Sequence, residues 1–159
     1  MKKVFGYPEF SAEGERVLCT YDNEYSDMLM DVRVYRMKAG TTRTFQRTGE
    51  ETAVLLLSGK IRYEWEGNAE TVSRKDVFTE GPWCVHVCTG TEVKVTAQED
   101  SEILVQCTHN DREFPAKLYK PEDAPWGYSC VGKFGNVAKR RVNTIFDHDI
   151  APYSNMVLG

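Results

Sequence analysis

Five consecutive apolar residues, Ala53-Val54-Leu55-Leu56-Leu57, lie between a break at Thr48-Gly49 and a turn at Ser58-Gly59. An apolar run this short, closed at both ends by turn residues, suits a strand buried on both faces. A buried helix would need about ten residues or more. A strand with two apolar faces must lie inside a layered structure, so the rest of the chain has to supply the layers on either side. The polar, β-branched stretch from Gly40 to Thr48 leads into it.

The flanking sequence has the pattern such layers require. Met28 to Met37 is dense in β-branched and aromatic residues and predicts a strand. After Gly59, Ile61, Tyr63 and Trp65 alternate with Lys60, Arg62, Glu64 and Glu66, the period-two signature of a half-buried strand. Gly67-Asn68 is expected to close a hairpin onto residues 69–73. Further strands are expected at 83–88, around Val93 and Val95, and at 102–108. Strands at this spacing, with no amphipathic helix between them, indicate an all-β sandwich or barrel. Residues 1–24 read as an irregular N-terminal arm and 25–109 as the barrel. Residues 110–159 read as a C-terminal arm with terminal strands that complete or flank it. Pro121, Pro125 and Trp126-Gly127 give the long connection little regular structure, and a loop of that length is usually functional or packed on a partner.

Charge and cysteine usage exclude several classes. With 159 residues the chain fits one domain around one core. A formal charge of −4 argues against nucleic acid or an anionic membrane as partner. No apolar stretch approaches the ~18 residues of a transmembrane helix. Met1-Lys2-Lys3 is not followed by a signal-peptide core. Five cysteines at irregular spacing suit reduced thiols, and hence a cytoplasmic protein, better than a disulfide framework.

The order of residues from Gly40 to Gly59 resembles the first metal-binding motif of the cupin barrels, with the histidines missing. Such a site needs a His-x-His pair and a Glu on one strand and a third His from a later strand, all aimed at one point. Counted from Gly40, the histidine slots fall on Gln46 and Thr48, the glutamate slot near Glu51, and the later histidine slot on Val93. No metal site and no cofactor are expected. Gln46, Thr48, Glu51 and Tyr63 are the candidate ligand-pocket residues, with Gln46, Glu51 and Tyr63 as interior polar groups. Parity then places Arg43 and Arg47 outside the barrel. Cys84, His86 and Cys88 share one strand face, but same-face neighbours lie about 6–7 Å apart and converge poorly on a zinc ion or as a nucleophile–base pair. The simpler expectation is that Trp83, Val85 and Val87 face the core while those three pack against the arm or a partner. His109 and His148 are expected to be solvated.

Three segments, taken in order, resemble one family. They are Thr48-Gly49-Glu50-Glu51 followed by Leu55–Lys60, then Lys117–Asp123, then Lys139–Ile145 with Ser154 and Val157-Leu158 beyond it. Together they resemble the amino-terminal half of the KduI/IolB family, the 5-deoxy-glucuronate isomerases of inositol breakdown and the related ketol-isomerases of pectin breakdown. The resemblance implies a single cupin-like (RmlC-like) jelly-roll barrel with a long irregular C-terminal arm. It also implies that the divalent metal and the catalytic residues belong to a second barrel that would follow Leu158-Gly159, so no catalytic residue carries over. Two functions are therefore expected. One is a metal-free half of an aldose–ketose isomerase acting with a partner cupin chain. The other is a non-catalytic cupin module that binds a small ligand such as a sugar acid, or that dimerises.

Overall fold

The computed structural model describes residues 8–159. The part of the expected N-terminal arm that falls on residues 1–7 lies outside them. Among the described residues eleven strands form in chain order: β1 Glu15–Cys19, β2 Asp31–Met37, β3 Thr42–Phe45, β4 Glu50–Trp65, β5 Asn68–Arg74, β6 Trp83–Val87, β7 Val93–Ala97, β8 Ser101–His109, β9 Lys117–Tyr119, β10 Trp126–Ser129 and β11 Arg140–Asn143. The fold is all-β and cupin-like, a jelly roll whose sheet does not close on itself. Among the described residues no helix is long and apolar enough to cross a membrane.

β4 organises this fold because it belongs to two layers. Its first half pairs with β8 on one side and β6 on the other, within the order β1-β2-β8-β4-β6-β9. Its second half pairs with β5 and β7, and β7 carries β3. The register against β8 slips between Leu56 and Ser58, and Gly59 follows with φ +101°. A bulge adds one residue to a strand, so it both bends the strand and flips its facing pattern. Before it, the even-numbered Val54 and Leu56 face the space between the layers; after it, the odd-numbered Ile61 and Tyr63 do.

The two layers enclose an apolar core in which Tyr35, Met37, Val85, Ile103 and Val105 meet Ile61, Val72, Val93 and Val95. Tyr63, fully buried there, directs its hydroxyl at the carbonyl oxygens of Val54 (3.0 Å) and Trp83 (3.2 Å). A second core lies on the outer face of the first layer. There Ala53, Leu55 and Cys84 are covered by Ala124, Ile145, Phe146, Ala151, Met156 and Leu158 from the C-terminal segment.

Several local expectations change in the structure. Residues 15–19 form an edge strand on β2 where an irregular arm was expected. The β4–β5 turn is Glu66-Gly67, one residue earlier than Gly67-Asn68, because both central residues of a type I′ hairpin need positive φ and these have +45° and +76°. The long C-terminal connection adds β9 to the edge of the first layer against β6 and folds residues 126–143 into a two-stranded hairpin. Leu158 returns to bridge Phe146.

The bend at Gly59 is the point of greatest steric demand. A Cβ there would lie 2.3 Å from Ser101 Oγ and 2.6 Å from the Asp100 carbonyl oxygen, on top of the positive φ. Replacing Gly59 by Ala is expected to destabilise the fold by about 2 kcal/mol or more, read as a lowered urea midpoint at unchanged slope.

Candidate functional site

Strand parity and the bulge decide where the polar residues of β4 point. Glu51 has the parity of Ala53 and Leu55, so it faces outward, toward the C-terminal segment, and that segment buries it completely. On β6, His86, whose register partner is Ala53, has the same orientation and is also fully buried. Its Nε2 lies 2.8 Å from Glu51 Oε2. Ser154 Oγ donates to the same oxygen at 2.9 Å, and the Asn155 backbone N–H donates to Oε1 at 2.6 Å. Burial pushes the Glu51 pKa up. The hydrogen bonds from His86, Asn155 and Ser154 together outweigh it and hold the carboxyl below its ordinary value of 4.5, so the group is a carboxylate.

His86 is held as tightly by rings as by the carboxylate. Phe146 stacks on it with centroids 4.3 Å apart and planes within 9°, and Phe114 lies at 4.9 Å. Nε2–H donates to the carboxylate, which leaves Nδ1 buried with no hydrogen-bond partner among the described residues. Asn110 Nδ2 donates to the Tyr153 carbonyl at 2.9 Å, and Asn155 Nδ2 donates to that of His109 at 2.9 Å. These contacts fasten residues 153–156 over the end of the first layer. The network can hold a charge and a chain segment in place.

The four candidate pocket residues do not come together. Gln46 and Thr48 are exposed, and Gln46 Nε2 donates to the Gly90 carbonyl at 2.8 Å. In β3 it is Phe45 that packs toward the inner core, so Gln46 points outward rather than inward. Glu51 and Tyr63 are both buried but on opposite faces of β4, one under the C-terminal segment and one between the layers. Val93 is part of the inner core. The residues at the cupin metal positions therefore do not fit a divalent cation, and among the described residues no three His, Cys, Asp or Glu side chains gather to hold one.

The Cys84/His86/Cys88 face separates in the same way. Cys84 lies in the outer core with its thiol pKa pushed well up by burial, His86 is in the network above, and Cys88 approaches Thr91 Oγ1 beyond the strand end. Val85 and Val87 face the inner core and Trp83 packs against it. Arg43, Arg47 and Arg62 are also dispersed. Arg43 stacks over Tyr35, Arg47 lies 3.4 Å from the buried Asp31, and Arg62 is 3.9 Å from Glu64. His148 is exposed, and His109 is exposed with its ring stacked on Tyr21 at 4.4 Å. Sequence reasoning missed the Glu51–His86 pair. His86 carried a signal, a polar residue inside the apolar stretch of residues 83–87, but Glu51 lies in the polar stretch of residues 48–52, and Ser154 and Asn155 are more than a hundred residues away from it.

Residues 6–159 match the sequence model of the KduI/IolB family. The 5-deoxy-glucuronate isomerase of Bacillus subtilis strain 168 is 26% identical over 132 residues, which cover 81% of this chain and 47% of that protein. The protein of the same name from Bacillus subtilis subsp. natto aligns with the same figures. The chain thus spans about half the length of the curated relatives it matches. Among solved structures, an IolB-like protein from Salmonella typhimurium LT2 superimposes with a TM-score of 0.68 at 21% identity, over 76% of this chain and 45% of that one. Escherichia coli YlbA superimposes with a TM-score of 0.54 at 17% identity, over 70% and 46%. At these identities the two structures show a shared fold.

The Glu51 network sets a pH dependence of stability. A carboxyl whose folded pKa lies below its unfolded value stabilises fully above the unfolded value, and that stabilisation is lost as pH falls through the folded one. Native stability should therefore decline below about pH 4.5. Glu51→Gln should cost about 2 kcal/mol at neutral pH and flatten that acid limb, as measured by urea denaturation at a series of pH values.

Proposed function

Because the chain belongs to the KduI/IolB family, we propose that it serves a sugar-acid isomerase of the 5-deoxy-glucuronate type as the barrel that carries no catalytic metal. The aldose–ketose chemistry falls to a second, metal-bearing barrel, whether on a partner chain or in a longer protein. One observation carries this reading. The space between the layers, where a cupin would hold metal and substrate, is filled by side chains such as Leu56, Ile61, Tyr63, Val85 and Ile103, all without solvent exposure.

Two further features support it. The hairpin of residues 126–143 presents Tyr128, Phe134 and Val137 to solvent, apolar surface of the kind that a partner barrel or a second copy of the chain would cover. All five cysteines are free, which fits work in the reducing cytoplasm.

Purified chain supplied with Mn²⁺, Fe²⁺ or Zn²⁺ is expected to leave 5-deoxy-glucuronate unchanged. A metal-bearing cupin encoded beside it is expected to co-elute with it and to turn over faster in its presence. Turnover by this chain alone would overturn the reading, as would a neighbouring cupin that neither binds it nor gains activity from it.

A further inference from the structure

A groove of about 580 Å³ runs along the outer face of the first layer, between the turn after β5 and the hairpin of β10 and β11. Its floor is aliphatic: Leu55, Leu57, Leu104, Ile145 and Leu158. Phe78, 75% exposed, stands on one wall, and Trp126 stands on the other. Arg141 spans the two walls. Its guanidinium lies 3.9 Å over the Trp126 ring, and one of its N–H groups donates to the Phe78 carbonyl.

A second cation, Arg74, lies at the inner end of the groove and is only 5% exposed. It donates through Nη1 to the Leu56 carbonyl at 2.9 Å and through Nη2 and Nε to that of Glu80 at 3.0 and 3.3 Å. Among the described residues neither Arg74 nor Arg141 forms an ion pair. The nearest acids are already engaged in the turn: Asp76 accepts from Phe78 N–H, Thr79 N–H and Thr79 Oγ1, and Glu80 accepts from Lys75 N–H. Burial pushes the Arg74 pKa down, and the charges of Asp76 and Glu80, neither close enough to pair with it, oppose this without offsetting the lost water. A buried charge in that state is normally neutralised.

We propose that this groove is a binding site for an amphiphilic carboxylate, with the carboxyl group between Arg74 and Arg141 and the apolar body along the aliphatic floor. The guanidinium forks supply the bidentate geometry a carboxylate takes. The floor side chains are aliphatic, so the hydroxyls of a polyol acid laid along them would lose solvation with little to replace it. A bare inorganic anion would leave the floor and the Trp126 face uncovered. This site lies outside the space between the layers and does not depend on the chain pairing with a second barrel.

Octanoate and its uncharged counterpart octanamide are suitable probes, titrated into the full chain by calorimetry and followed by tryptophan fluorescence. Octanoate is expected to bind saturably at one site, with octanamide at least about tenfold weaker. Arg141→Gln is the decisive variant, because that side chain is exposed and its loss leaves both cores intact. It should reduce octanoate binding to the octanamide level. Arg74→Met should do the same, and if it fails to fold the Arg141 variant still decides. No saturable binding, equal binding of the two probes, or octanoate affinity unchanged in Arg141→Gln would each overturn the proposal.

Discussion

The structure depends on covering both faces of one strand. Val54 and Leu56 of β4 need the opposing layer, and Ala53 and Leu55 need a cover on the other side. Fully burying a leucine-sized side chain contributes about 1.5–3 kcal/mol, so leaving the outer face in water would forfeit several kcal/mol in a fold whose net stability is small. The C-terminal segment is therefore a third layer of the fold. Ile145, Phe146, Met156 and Leu158 form it with little regular secondary structure of their own.

A layer of that kind has no sheet or helix to satisfy its backbone, and this explains a buried carboxylate in an apolar interface. Burying Glu51 and His86 together gains little over a well-packed apolar pair, because desolvation offsets the attraction. The carboxylate offers direction instead. It accepts from one backbone N–H, one hydroxyl and one imidazole at fixed angles, and so sets the position of residues 154–156 over β4. The aromatic rings of Phe114 and Phe146 then hold the imidazole in the orientation that keeps Nε2 on the carboxylate. Apolar packing fastens the layer to the barrel, and the polar network fixes its register.

The sequence displayed the strands wherever one face was polar. The closed run at Ala53–Leu57 and the alternation from Lys60 to Trp65 both fall in β4, which runs through the expected Ser58-Gly59 turn as a bulge. Period two has no direction where both faces are apolar, however, so it could not say which of Ala53 or Val54 faced inward. The bulge after Leu56 then reversed the parity carried down the strand. In the short β3 strand the aromatic Phe45 took the inward position, and this turned Gln46 outward. β9 escaped notice because Lys117–Tyr119 is three residues long, and its pairing with β6 rests on contacts distant in sequence. The Cys84 and His86 contacts with the arm followed from alternation alone, since the Val85 and Val87 positions were plainly the core side.

Where an activity can reside follows from how volume is used. Between the layers Tyr63 is fully buried, and its hydroxyl is committed to the backbone carbonyls of Val54 and Trp83. Opening that space for a ligand would remove packed aliphatic groups and break the Tyr63 hydrogen bonds at once, two penalties in the same place. The outer face has neither restraint. Its groove is open, Arg74 and Arg141 form no ion pair among the described residues, and its apolar surface is incompletely covered. In this chain the inside of the jelly roll supplies rigidity, and the open apolar surface lies on the outer face and the hairpin beside it.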